Sequence, residues 1–208
     1  MLCCAAVGWG TALISVIIST ENCERSLVPT LAALVAGAAA GTVREVIVAD
    51  AGSTDATAEV ADLAGCELIV SKAPLATRLN EAAARARASW LMFLKPGVVL
   101  DPSWMAETGR FIEQAELSGT PQMRAAIFRR APALIESRPF LLEALMMVKS
   151  ALGGRPRPEQ GLVIFKRLYE QLGGHRGGIF DPESDLLARL GRKRVVMLRS
   201  GAAKVAEG

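Results

Sequence analysis

Short apolar runs alternate with helix-like segments along the first 118 residues, and this alternation restricts the fold more than any other feature of the chain. The runs are rich in Val, Ile and Leu and cover residues 14–18, 44–50, 66–70 and 90–94. Runs of this length and composition are typical of parallel strands that are covered on both faces. Helix-like segments follow them at residues 26–41, 51–65 (a turn, then a helix), 76–88 and 101–117. A βαβαβαβ order predicts an α/β sandwich with a mostly parallel central sheet.

The second half of the chain alternates less regularly. It predicts strands at 124–130, 162–166 and 194–198, and helices at 133–152, 167–174 and 182–191. The stretch from Ser118 to Pro121 is too short to separate two hydrophobic cores. We therefore expect one domain over residues 13–208, preceded by an apolar leader at residues 1–12.

The charge balance argues against nucleic-acid binding. The 208 residues include 24 Lys and Arg and 21 Asp and Glu, which gives a net charge of +3, and 51% are hydrophobic. This composition supports a buried core and excludes a disordered chain. Residues 1–120 carry 8 basic and 13 acidic side chains, whereas residues 121–208 carry 16 and 8. The asymmetry predicts a cleft for an anionic ligand, or a basic face for phosphates or membrane lipid.

The cysteine and histidine content argues against a zinc site. The four cysteines show no CxxC spacing, and the chain has one histidine. The first basic residue is Arg25, so the uncharged N-terminal stretch lacks the basic region of a signal peptide. We therefore expect reduced cysteines and a cytoplasmic protein, with the inner face of the membrane as an alternative location. The segment 139–152, with basic residues around it, fits a core helix, a homodimer contact or peripheral membrane contact.

The segment REVIVADAGSTDAT joins the second predicted strand to the helix that follows it. Asp50 ends the strand, a tight turn follows, and Ser53 or Thr54 can cap the helix. Ligands of open α/β sheets bind beyond the carboxyl ends of the strands, which is where Asp50 lies. Two interpretations of its carboxylate are possible. It accepts a hydrogen bond from a nucleobase or a ribose, or it caps the turn.

Five segments along roughly residues 13–200 resemble family-2 glycosyltransferases of the GT-A fold. In chain order they are SVIISTENCERSLVPTLAAL, REVIVADAGSTDATAEVA, RLNEAAARARASWLMFL, QLGGHRGG and ESDLLARLGRK. The resemblance implies a GT-A-like, nucleotide-diphospho-sugar transferase sandwich, with residues 13–118 as the nucleotide-binding half and 119–208 as the acceptor half. It also implies transfer of a sugar from a nucleotide-sugar, a UDP-sugar foremost, to an unidentified hydroxyl acceptor with inversion.

The resemblance assigns nucleotide contacts to four residues of the first half. Asp50 matches the family's base-recognising aspartate. Ser19 and Glu21 match positions at the end of the first strand, where Glu21 replaces an aromatic residue. Arg78 lies in the region where the family has an arginine that contacts the pyrophosphate, and a solvated helix residue is the alternative for it.

The chain departs from the family after the fourth strand. Family members have an acidic DxD-like motif there, whose last Asp holds a divalent metal (Mn or Mg) on the donor diphosphate. Here the strand is followed by Lys95, Pro96 and Gly97, so the carboxylate ligands that such hard cations need are missing. Either Lys95 supplies the positive charge at the diphosphate, or the protein no longer transfers sugar.

The resemblance assigns three residues to the acceptor half. Glu183 matches the aspartate that deprotonates the acceptor hydroxyl, although a first-turn carboxylate that favours the helix dipole is the alternative. His175 matches an aromatic position after a glycine pair, which implies acceptor contact, and packing or solvent exposure is the alternative for a lone histidine. Gln160, within a triplet that resembles DQG, is the other residue expected near the acceptor.

Two further function classes remain as alternatives. A non-catalytic nucleotide-sugar-binding protein of the same fold would keep the donor contacts without the chemistry. A nucleotidyltransferase normally has a glycine-rich basic loop after the first strand, and STENCERS has no glycine. A dinucleotide-dependent oxidoreductase is disfavoured because no GxGxxG follows that strand.

Overall fold

The structure, a computed structural model, describes residues 13–131 and 156–205 of the chain. Within these ranges eight strands form one sheet. They are β1 (Ile14–Thr20), β2 (Val43–Asp50), β3 (Glu67–Val70), β4 (Trp90–Leu94), β5 (Val98–Leu100), β6 (Ala125–Arg130), β7 (Leu162–Phe165) and β8 (Val195–Lys204). The predicted leader at 1–12 and the predicted helix at 133–152 lie outside the described residues.

The strand order across the sheet is β3-β2-β1-β4-β7-β6-β8-β5. Strands β1 to β4 run parallel, β7 runs antiparallel to both of its neighbours, and β6 and β8 are parallel. The chain moves outward from β1 to β3 and then returns to place β4 on the other side of β1. This reversal creates a crevice at the carboxyl ends of β1 and β4, where open α/β sheets bind ligands.

Six α-helices of the described residues cover the sheet. They are α1 (Glu24–Ala39), α2 (Thr57–Leu63), α3 (Leu75–Arg85), α4 (Trp104–Leu117), α5 (Lys166–Gln171) and α6 (Pro182–Leu190). The predicted cap of α2 by Ser53 or Thr54 is wrong, because the helix begins at Thr57 with Ala56 as its N-cap. Both predicted caps instead contact the loop between β1 and α1.

Two hydrophobic clusters lie on opposite faces of the sheet. Successive residues of β1 belong to different clusters: Val16 and Ile18 lie in one cluster and Ile17 lies in the other. All three side chains are fully buried, as the continuous apolar run predicts for a central parallel strand. A Cβ at Gly37 would lie 2.5 Å from the ring of Trp104, so only glycine lets α1 approach α4 this closely.

Two differences from the predicted elements affect the site. Strand β5 was not predicted, because three residues after a Pro-Gly turn carry too little pattern. Strand β8 continues to Lys204, beyond the predicted end at 198, because its last residues pair with β5. Within the described ranges, none of the helices has both the length and the apolar character needed to cross a lipid bilayer.

Candidate active site

A cavity of about 410 Å³ opens beyond the carboxyl ends of β1 and β4. Ser19 and Thr20 of β1 form part of its wall. Six charged side chains also line it, three cationic and three anionic: Arg78, Lys95, Lys204, Glu21, Glu159 and Glu183. The cavity therefore offers cations for phosphate oxygens and carboxylates for proton transfer in one place.

A tight turn holds Lys95 directly after β4. Pro96 and Gly97 take the second and third positions, Gly97 has a φ of 82°, and the Val98 N–H donates to the Lys95 carbonyl at 3.2 Å. This is the arrangement of a type II turn. Gly97 also donates to the Ser26 carbonyl of α1 and accepts from the Val205 N–H, both at 2.8 Å. The backbone of Lys95 is therefore fixed between α1 and the end of β8.

The ammonium of Lys95 forms an ion pair with Glu183, at an Nζ–Oε2 distance of 2.8 Å. Side-chain exposure is 32% for Lys95 and 13% for Glu183, so the pair is shielded but reachable from the cavity. Glu183 lies in the first turn of α6, and the Asp181 side chain caps that helix by accepting from the Ser184 N–H at 3.0 Å. The sequence predicted both partners, and the structure brings them together.

The electrostatics of the pair favour a charged lysine and a basic carboxylate. Burial raises the pKa of Glu183, with Asp181 and Glu159 adding to the rise, and Lys95 offsets it only in part. Burial lowers the pKa of Lys95, but the three carboxylates outweigh this and raise it. A carboxylate with a raised pKa is a better proton acceptor at neutral pH.

The residues at this turn do not fit a divalent metal. An ammonium stands at position 95 and no side chain stands at Gly97, whereas Mn²⁺ and Mg²⁺ bind hard oxygen ligands. In the described part of the chain, no group of three or more His, Cys, Asp or Glu side chains is placed to hold an ion. A carboxylate at position 97 would also be strained, because the backbone there has a positive φ.

Arg78 of α3 is buried, not solvated, and it joins the ends of two strands. Its Nη1 donates to the carbonyls of Thr20 at 3.2 Å and Ala49 at 2.6 Å, and its Nε donates to Ala73 at 3.2 Å. No described residue accepts a hydrogen bond from Nη2. Nη1 therefore holds the ends of β1 and β2 together. Since Arg78 also lines the cavity, Nη2 has N–H donors that a ligand can use.

The geometry of Asp50 favours turn capping over nucleobase recognition. One carboxylate oxygen accepts from the hydroxyls of Thr20 at 2.8 Å and Ser53 at 2.5 Å. The other accepts from the N–H groups of Gly52 at 2.8 Å and Ser53 at 2.7 Å. Burial raises the pKa of this 1% exposed carboxyl, but these hydrogen bonds lower it overall. Four bonds use the acceptor capacity of a carboxylate, so a nucleobase would have to displace one of them.

The turn after Asp50 is tied to the loop between β1 and α1. Asn22, with a φ of 46°, donates its N–H to Ser53 at 2.9 Å and accepts from the Thr54 N–H at 2.9 Å. At the start of α1, the Glu24 N–H donates to Asp55 at 3.1 Å. These contacts fix the loop that carries Glu21, a predicted nucleotide contact that lines the cavity together with Ser19.

The structure does not place Gln160 in the cavity. Its side chain is buried, where it accepts from the Arg157 N–H at 3.0 Å and donates to the Phe128 carbonyl at 2.8 Å. Both ends of the amide are used within the protein, so the predicted acceptor contact is not supported. The neighbouring Glu159 lines the cavity instead.

His175 also lies away from the cavity, in a buried polar network. Its ring is 2% exposed and Nδ1 lies 2.8 Å from the Tyr169 hydroxyl. Asn80 accepts from that hydroxyl at 2.6 Å and from the His175 N–H at 2.9 Å, and donates to the His175 carbonyl at 2.8 Å. Burial, aided by Arg189, lowers the pKa of His175 to about 4. The geometry gives His175 a packing role rather than acceptor contact.

This network is connected to the helix that carries Glu183. Arg189 of α6 donates to the carbonyls of Leu172 and Gly174, the latter at 2.7 Å, and to Asp185 at 2.7 Å. The helix is therefore fastened to the glycine pair before His175. Asp185 is held by Arg189, which leaves Glu183 as the α6 carboxylate at the cavity.

Among the titratable side chains that line the cavity, three were given no role by the sequence: Cys23, Glu159 and Lys204. Glu159 is adjacent to Gln160 in the triplet that resembles DQG, so that motif carries a signal for it. Lys204 lies in the part of β8 that was not predicted. Cys23 precedes α1, at the place where the resemblance implies an acidic residue, and it carries no charge itself.

Comparisons with known proteins agree with this architecture. A family model described as glycosyl transferase family 2 matches residues 15–133. No curated protein matches the sequence. Among solved structures, S. aureus TarS 1-349 with UDP-GlcNAc is 15% identical, covering 94% of this chain and 59% of that one, with a TM-score of 0.66.

Two further solved structures have the same fold. The Pyrobaculum calidifontis mannosyltransferase PcManGT, in complex with GDP-Man and Mn²⁺, is 15% identical over 95% of this chain and 58% of its own, with a TM-score of 0.67. Glucosyl-3-phosphoglycerate synthase from Mycobacterium tuberculosis, in complex with Mn²⁺, UDP and glucosyl-3-phosphoglycerate, is 18% identical. The match covers 95% of this chain and 73% of the synthase, with a TM-score of 0.60. The chain thus spans about 60% of TarS 1-349 and of PcManGT. The predicted GT-A fold is confirmed, and the chain belongs to glycosyl transferase family 2.

Proposed function

We propose that this protein binds a nucleotide-sugar, a UDP-sugar foremost, in the cavity and transfers the sugar to a hydroxyl acceptor with inversion. The observation that carries the proposal is the meeting of Lys95 and Glu183 at the carboxyl ends of β1 and β4. One group is a cation suited to a diphosphate and the other is a carboxylate suited to proton transfer. The nucleotide-sugar or nucleotide ligands of the three solved relatives support the donor class.

In the proposed reaction the acceptor oxygen attacks the anomeric carbon from the face opposite the diphosphate. Glu183 takes the hydroxyl proton as the new C–O bond forms. The bond between the anomeric carbon and the diphosphate breaks, and its electron pair leaves with the diphosphate. Lys95 and Nη2 of Arg78 stabilise that negative charge, so the step uses charges of the chain itself.

Donor binding is tested with a thermal-shift panel of UDP-, GDP-, dTDP- and CMP-linked sugars, each with manganese and with EDTA. A donor at one hundred times its dissociation constant adds about 2.7 kcal/mol to the free energy of unfolding. We expect a shift with a UDP-sugar that EDTA does not reduce. Inverting transfer is then measured as release of UDP, and no shift with any donor would reject the proposal.

A non-catalytic nucleotide-sugar-binding protein is the second candidate. The observation that favours it is the same ion pair, because Glu183 is engaged by Lys95 before any ligand arrives. The two candidates separate in a single-turnover assay with bound donor and a panel of hydroxyl acceptors. Turnover that falls by about 10²–10⁴ in Glu183→Gln, the usual contribution of a general base, supports the enzyme. Tight binding without turnover supports the binding protein.

A further inference from the structure

We infer that Lys95 exchanges partners, leaving Glu183 for the donor diphosphate, so that donor binding releases the base. The inference rests on the proposed function and names the regulation of its site. In the structure the ammonium lies 2.8 Å from Glu183, and both side chains line the cavity. A base held in this way accepts a proton from an acceptor or from water less readily than a released one.

The geometry allows the ammonium to move while the backbone stays in place. The turn fixes the Lys95 backbone through bonds to Val98, Ser26 and Val205. The side chain is a flexible four-carbon stem with three rotatable donors, and it is the more exposed member of the pair. Glu183 lies on a capped helix that Arg189 fastens to the preceding loop. Movement is therefore confined to the lysine side chain.

The charges around the pair make a diphosphate a suitable competitor. A diphosphate carries more negative charge than a single carboxylate, so it attracts the ammonium more strongly at equal distance. Glu159 and Asp181 also act on both members of the pair, which leaves an excess of negative charge around Glu183 once the lysine departs. The released carboxylate is then a stronger base, and it becomes so only when the leaving group is in position.

The exchange is tested by a double-mutant cycle on Lys95 and Glu183. Dissociation constants of UDP, inorganic pyrophosphate and uridine are measured by calorimetry for wild type, Glu183→Gln, Lys95→Met and the double variant. Methionine keeps the aliphatic stem of the lysine, and a melting curve checks that each variant is folded. Glu159→Gln is the matched control, since it removes one cavity carboxylate that forms no ion pair with Lys95 among the described residues.

We expect Glu183→Gln to tighten UDP and pyrophosphate binding by about three- to fivefold, the upper end of the range for a partly exposed ion pair. Uridine binding should change by less than about twofold, because uridine lacks the charge that competes for the ammonium. In the Lys95→Met background the same substitution should have little effect on either phosphate ligand. Glu159→Gln should produce a smaller change than Glu183→Gln.

Three results would overturn the exchange. Unchanged phosphate affinity in Glu183→Gln would mean that Glu183 does not compete for Lys95. Tightening that persists in the Lys95→Met background would indicate simple repulsion of the ligand by Glu183. Failure of wild type to bind pyrophosphate at millimolar concentration would likewise reject the exchange. The donor panel tests the proposed function separately, so pyrophosphate binding without any nucleotide-sugar binding would reject that function while the cycle still decides the exchange.

Discussion

The Thr20 hydroxyl donates to the Asp50 carboxylate at 2.8 Å and so joins the last residue of β1 to the last residue of β2. The same carboxylate accepts three further hydrogen bonds from the turn that follows it, two from Ser53 and one from Gly52. Asp50 thus connects β2 to β1 through Thr20, which lines the cavity, and shapes the loop between β2 and α2.

Asp50→Asn should therefore destabilise the fold. The amide places an NH₂ group against donors that now bind a carboxylate, and unpaired buried donors cost about 1–3 kcal/mol each. We expect the free energy of unfolding to fall by about 2–3 kcal/mol in urea titrations. Asp62→Asn, at an exposed position of α2, is the control and should change little. If the Asp50→Asn variant were as stable as wild type but bound the nucleotide more weakly, Asp50 would be a nucleobase contact.

Gly174→Ala should destabilise the loop before α6 more than Gly173→Ala does. Both glycines have positive φ, 58° and 78°, so alanine strains the backbone at each position by about 1–2 kcal/mol. A Cβ at Gly174 would also lie 2.4 Å from Oδ1 of Asn80, whereas nothing lies within 4 Å of one at Gly173. Denaturant unfolding measures the difference. Equal losses in the two variants would mean that the Asn80 network relaxes without cost.

His175 should make stability depend on pH between about 4 and 6.5. The folded-state pKa is lowered to about 4 from an ordinary value of 6.5, so the unfolded chain binds the proton more readily in this range. The free energy of unfolding therefore falls as the pH drops below about 6.5, by up to about 3 kcal/mol near pH 4. Since the chain has one histidine, His175→Gln should remove this slope in urea titrations. An unchanged slope in that variant would assign it to other groups.

Lys95→Ala should weaken binding of a UDP-sugar by about tenfold and leave uridine binding unchanged, because only the donor carries the diphosphate. High salt should also weaken donor binding, since a reachable charge pair is screened over about 8 Å at physiological ionic strength. Lys193→Ala, at an exposed position after α6, serves as the control in the same calorimetric titrations. A wild-type affinity that rises steeply with manganese would contradict this role and assign the charge to a bound metal.

The parallel half of the fold was predictable because each of its strands is a nearly continuous apolar run. The observed bounds of β1 to β4 differ from the predicted ones by two residues at most. The start of α2 was not predictable in the same way. Ser53 and Thr54 have cap-like side chains, but their partners in the structure lie in the loop after β1, more than thirty residues earlier.

Site residues were predictable only where the motif also determines whether the side chain faces the cavity or the protein interior. Lys95 directly follows a strand, and Glu183 lies in the first turn of a helix. Both residues line the cavity at the carboxyl ends of β1 and β4. His175 and Gln160 occupy motif positions too, but burial decides their partners, and burial depends on residues far away in sequence such as Asn80 and Phe128. The pairing of Lys95 with Glu183 carries no local signal, because the two residues come from separate halves of the chain.

The turn that holds Lys95 has a consequence for product release. A divalent ion can depart together with a nucleoside diphosphate, whereas Lys95 is covalently part of the chain and stays behind. Under the proposed mechanism the product must separate from this tethered cation, and Glu183, 2.8 Å away in the ligand-free protein, is the group that takes the ammonium back. Glu183 can do so only after it has given up the acceptor's proton. Release of the nucleoside diphosphate would then follow deprotonation of Glu183. The last step of one catalytic cycle is thereby coupled to restoration of the ion pair that starts the next.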